Sequence, residues 1–88
     1  MVVNISFTDN KDANNKIIGF IANFNATEGE YVSSSSVTIN LDNPVDSLSN
    51  SEKLKKIDIS SIIKSLKDDL ISKGANIAKI IIQLWLEK

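Results

Sequence analysis

Histidine, cysteine and arginine are missing from all 88 positions of this chain. Each absence removes a chemistry. Without histidine there is no side chain that titrates near neutrality unaided. Without cysteine there is no disulfide, thiol nucleophile or soft metal ligand. Without arginine there is no planar fork for clamping phosphate or carboxylate in two hydrogen bonds. Proline occurs once, at Pro44, and glycine three times, at Gly19, Gly29 and Gly74, so breaks in regular structure are few and easily located. Apolar runs are short, Ile80–Ile82 being as long as they get, far below what spans a bilayer. Met1 to Thr8 alternate apolar and polar residues and lack the charged-then-apolar pattern of a secretory signal. A cytoplasmic chain with no membrane partner is the expectation.

Ten lysines stand against eleven acidic residues, so no net field steers the chain towards nucleic acid or an anionic surface. The length allows a single α+β domain over residues 1–88, with a small core and no disulfide to reinforce it. Such a chain gains stability by associating, and a homo-oligomer is expected on that ground.

Val3, Ile5 and Phe7 alternate with Asn4, Ser6 and Thr8, the period of a strand with one dry face. Asp9 to Asn15 is rich in residues that tolerate left-handed backbone and reads as a hairpin loop. A second strand places Ile18, Phe20, Ala22 and Phe24 on its dry face, and Gly29 marks the next turn. Tyr31 to Leu41 returns as a third strand, in which Ser33 to Ser36 predict a bulge, an exposed edge or a loop, and Asp42-Asn43-Pro44 is expected to stop the sheet. Ser49 and Glu52 have capping-box spacing for a short helical turn. Ile59, Ile62, Ile63, Leu66 and Leu70 share one face of a helix capped by Asp58 and ended near Lys73 by Gly74. Residues 76–88 read as a strand, because branched isoleucines crowd positions 77, 80, 81 and 82, with a second helix as the alternative. The expected architecture is therefore an antiparallel meander of three strands, one main helix on one face, and a C-terminal strand.

Three groups of side chains invite a chemical reading. The acidic loop Asp9 to Asn15 has oxygen donors at Asn10, Asp12 and Asn14, but an EF-hand loop requires glycine at its sixth position and glutamate at its twelfth, where Asn15 and Ile21 stand. Asp68 and Asp69 are neighbours on a helix and point about 100° apart, so they do not share a site. No serine motif supplies the base that a hydroxyl nucleophile needs. No catalytic residue, metal or cofactor is expected. The lysines at 53, 55 and 56, and at 64, 67 and 73, lack the arginine forks and stacking aromatics of a nucleic-acid face and read as a helix exterior. A lysine-mediated nucleic-acid or regulatory protein is the alternative.

The positive signal is apolar. On these strand assignments Ile17, Ile21, Ile77, Ile81 and Trp85 lie on the face opposite the helix, where a half-covered sheet should be polar. They are read as a protein interaction surface with Trp85 as its anchor, or else as core under a different strand parity.

The run Val37-Thr38-Ile39-Asn40-Leu41-Asp42-Asn43-Pro44, with Leu48-Ser49 and Glu52 after it, resembles an arrangement of strand, Asp/Asn-Pro turn and helix start. That arrangement occurs in small uncharacterised proteins of low-G+C Gram-positive bacteria and their prophages. The resemblance covers about residues 37–52 and implies a phage or prophage setting, with no catalytic residues to carry over. Composition, surface and resemblance together predict a small non-enzymatic protein–protein interaction module of the accessory, assembly or inhibitor kind, its partner unspecified.

Overall fold

A computed structural model of the chain describes residues 1–84. Its elements are β1 (Val2–Lys11), β2 (Ile17–Glu28), β3 (Tyr31–Val45), α1 (Asn50–Lys55), α2 (Ile59–Ser72) and β4 (Ile81–Leu84). The first three strands form the expected meander. The order across the sheet is β3-β2-β1-β4, and β4 joins β1 in parallel, so the sheet is mixed. Strands β3 and β4 run in one direction on opposite edges. The chain between them must cross one face of the sheet, and both helices lie in that crossing.

The dry face is built as the alternation dictates. Val3, Ile5 and Phe7 of β1 meet Phe20, Ala22, Phe24 and Ala26 of β2, and Leu66 and Leu70 of α2 close over them. Leu48, Leu54 and Ile57, around α1, pack against the same core, as do Ile62 and Ile63. A helix of α2's length spans roughly 21 Å, whereas a strand of β2's length spans roughly 40 Å. One helix cannot roof such a sheet, and α1 with its flanks covers the end that α2 leaves.

The parity expected for the start of β2 is corrected by a bulge. The register shifts between Ile17 and Gly19 against both neighbouring strands, and Ile18 has no partner in either. Ile17 is consequently buried at 4% exposure, while Ile18, the expected core residue, is 40% exposed. Gly19 is required at this bulge, because a Cβ there would stand 2.5 Å from the Ile39 carbonyl oxygen.

Of two expectations for β3, one is met in part and the other takes its exposed-edge alternative. Pairing with β2 lapses from Leu41 to Pro44, where Asp42-Asn43-Pro44 is expected to stop the sheet, but β3 continues past it to Val45, which pairs with Ile17. The strand that holds Pro44 lies at a sheet edge, where a missing N–H is tolerated. Ser33 to Ser36 form neither bulge nor loop but continue the edge strand in unbroken register with Asn23 to Ala26.

The turns and caps follow their residues. Asn15 takes φ 63° in the first hairpin loop, where the Asp12 carboxylate accepts from the N–H groups of Asn14 and Lys16, both at 2.9 Å. In the second, Gly29 at φ 60° comes first and Glu30 second, which suits a two-residue type II′ turn. Ser49 and Glu52 make both halves of the capping box, so the expected turn is a helix in its own right. Asp58 caps α2 through the Ser61 N–H. Gly74, at φ 112°, ends it in a Schellman motif: its N–H reaches the Ile71 carbonyl and that of Ala75 the Leu70 carbonyl, both at 3.0 Å.

Candidate interaction surface

The five residues read as one apolar patch do not come together. Ile17 is buried, and Ile77 packs against the core cluster. Ile21 sits half-buried on the open face opposite Thr8, whereas Ile81 pairs with Val2. Six residues of β1 separate those two positions, roughly 20 Å. Trp85 lies outside the described residues. The open face between Ile21 and Ile81 is uncharged and polar. Asn4, Asn25 and Ser34 form one row across the strands, with Gln83 beside Asn4, and Ser6, Asn23 and Ser36 form the next. A shallow depression of about 530 Å³ runs along these rows.

The charged groups are dispersed. Lys53 belongs to no exterior cluster: it is 4% exposed and makes an ion pair with Asp9 at 2.7 Å. Its ammonium lies 5.3 Å from the Phe7 ring centre and 5.8 Å from that of Phe20, two rings in edge-to-face contact. Asp9 opposes Phe20, so β1's alternation carries a carboxylate onto the dry face, where a cation must meet it. That signal was present in the spacing of Val3, Ile5, Phe7 and Asp9.

Asp68 and Asp69 face different partners. Asp68 pairs with Lys64 at 2.7 Å, which raises the Lys64 ammonium above its ordinary pKa through the hydrogen bond to Asp68 and its charge. Asp69 accepts from the Ser33 hydroxyl and pairs with Lys73 at 2.9 Å, and these, the serine first, hold its carboxyl below the usual range. Lys73 also donates to the Val32 carbonyl at 2.8 Å, so the end of α2 is fastened to the start of β3. Among the described residues no three acidic side chains converge as a metal site would require. No described helix is long and apolar enough to cross a membrane.

Exposed aliphatic surface gathers at β4 instead. Ile80, Ile81 and Ile82 are 40%, 41% and 51% exposed. The strand is terminal in the sheet, and its outer edge has no strand neighbour among the described residues. The Ile81 N–H donates to the Met1 carbonyl at 2.9 Å. Alternate residues of a strand send their N–H and C=O groups to opposite edges, so those of Ile80 and Ile82 point away from β1. At the other edge, β3 carries Pro44 and the Lys73 contact to Val32. Over its described residues β4 carries neither a proline nor a charged side chain to keep its edge from pairing.

Beside this edge lies a groove of about 470 Å³ between β4 and α2. Ile63, Ile80 and Ile82 provide apolar walls, and Ser60, Lys64 and Lys67 of α2 line it with them. The sheet register explains the arrangement. Ile82 pairs with Val3, a core-face position, so its side chain turns to the helix side just where the helix layer ends.

No family model, curated protein or solved structure matches this chain.

Proposed function

We propose that this protein is a small non-enzymatic interaction module whose docking surface is the outer edge of β4 and the groove beside it. One observation carries the reading: three consecutive isoleucines stand exposed on a sheet edge whose outward N–H and C=O groups have no described partner. Such an edge is a template for another strand. The resemblance of residues 37–52 to small phage and prophage proteins supports an accessory, assembly or inhibitor role in that setting.

The surface differs from the one the sequence suggested. It keeps Ile81, loses Ile17, Ile21 and Ile77, and gains Ile80, Ile82 and Ile63 of α2, while Trp85 lies outside the described residues.

The test compares the wild-type chain with Ile82→Pro. Proline removes an outward N–H while leaving the Ile81 hydrogen bond to Met1 intact, so the variant should fold with its edge blocked. The two proteins are studied by light scattering over a concentration series and by affinity capture from the organism that encodes them. The expected result is self-association or a retained partner, lost in Ile82→Pro. Identical behaviour of the two proteins in both assays contradicts the proposal.

A further inference from the structure

We infer that the segment docking on β4 is an extended strand of another protein, with apolar residues at alternate positions and carboxylates flanking them on the same face. The inference rests on the edge reading above and specifies its occupant.

An added strand lies roughly 4.8 Å beyond β4, with alternate side chains turned to opposite faces of the sheet. Those turned to the helix side enter the groove walled by Ile63, Ile80 and Ile82. The walls select aliphatic side chains two residues apart in the incoming strand. The charges around the groove set its polarity. Lys64 and Lys67 line it from α2, and Lys79 is exposed immediately before Ile80. Asp68 engages Lys64, and among the described residues no carboxylate pairs with Lys67 or Lys79. The local excess is positive, in a chain whose overall charge is -1. Carboxylates on the incoming strand match that excess and give it orientation and register.

The same charges argue against a second copy as the occupant. After Gly74 the sequence has one acidic residue to offer in exchange, Glu87, against the lysines at 79 and 88. Pairing two β4 edges about a two-fold axis brings the lysine-lined margins of both copies to one seam, and like charges placed together oppose association.

The experiment uses the full chain and a fluorescein-labelled synthetic peptide, Ser-Glu-Thr-Val-Thr-Ile-Thr-Glu-Ser, which puts its glutamates, valine and isoleucine on one face. A control peptide has lysine in place of both glutamates. Anisotropy titrations at low salt are expected to show the acidic peptide binding at least about tenfold more tightly than the lysine peptide. The preference should vanish in the doubly reversed protein Lys64→Glu/Lys67→Glu and binding itself in Ile82→Pro, each variant first shown to melt cooperatively like the wild type. Equal binding of both peptides, still lost in Ile82→Pro, overturns the acidic partner and leaves the edge reading standing. A dimer that dissolves in Ile82→Pro, with neither peptide bound, overturns it in favour of a second copy. Peptide binding that Ile82→Pro does not reduce overturns the inference and the edge reading together.

Discussion

Lys53 is the residue on which the end of the core depends, and it does so as a charge. Its ammonium is shut between two phenylalanine rings and answered by Asp9, which retains some exposure. Breaking such a pair from one side leaves a charge without water or partner, whereas replacing it by an aliphatic of similar volume is often neutral or stabilising. Asp9→Ala is therefore expected to lower stability by about 3 kcal/mol. Lys53→Met breaks the pair from the other side and should also lower stability, but by less, because the Asp9 it leaves unpaired is partly exposed. Chemical denaturation of the two variants measures both, and equal losses would contradict the account. Gly19 is the second such position. A methyl group there collides with the Ile39 carbonyl, part of the backbone of β3, so Gly19→Ala should cost about 1–3 kcal/mol as an overpacking change. The same substitution at Gly29 has open space around it and strains only the positive φ. Both positions show what a single sequence conceals: Asp9 could be placed on the dry face from its spacing, but nothing in the order of residues said that Lys53 would be the cation to meet it.

At the scale of the element, local signals were the most legible. Asp58, Gly74 and the isoleucine and leucine spacing located α2 almost to the residue, and Ser49 with Glu52 marked the start of α1. These signals are short-range, since a cap and its N–H lie within one turn of each other. Ser49→Ala and Asp58→Ala are each expected to cost about 1 kcal/mol, read as a lowered melting midpoint. What could not be read was the pairing of elements. The bulge at Ile17–Gly19 arises where β2 meets both neighbours at once, and it exchanged Ile17 for Ile18 in the interior. Likewise, Pro44 stays in a strand because that strand is an edge and because Leu41 to Pro44 have no partner in β2, both facts of topology. The seam of α2 and β3 carries a pH dependence. The folded pKa of Asp69 lies below its ordinary value of 3.8, so the stability it contributes is present above that value and lost as pH falls through the folded one. Lys64 acts in the opposite sense: its contribution is present below 10.5 and lost as pH rises through its raised value. Thermal melts across acid pH should show a shallower loss below pH 3.8 in Asp69→Asn than in the wild type. Parallel curves would mean that the Ser33 and Lys73 contacts contribute nothing.

The whole molecule is long for its mass. Its extents are 47 × 23 × 19 Å and its radius of gyration is 14.6 Å, against roughly 12 Å for a compact domain of this length. The long hairpins produce this shape, and it leaves sheet edges as a large share of the surface. One edge is guarded by Pro44 and the Lys73 contact, and the other presents isoleucines. Of the aliphatic residues that the sequence marks as surplus, Ile81 is exposed at β4. The remaining residues changed because face and parity depend on the bulge, and because the parallel docking of β4 on β1 joins residues nearly eighty positions apart. The central claim is that β4 ends the sheet with an open outer edge. Residue-resolved amide hydrogen exchange on the dilute chain tests this most directly. The account predicts alternation along β4: strong protection at Ile81, whose N–H is bonded to Met1, and rapid exchange at Ile80 and Ile82, with Ile82 gaining protection once the acidic peptide is added. Strong protection of Ile82 in the free monomer would show the edge already covered and would contradict the account.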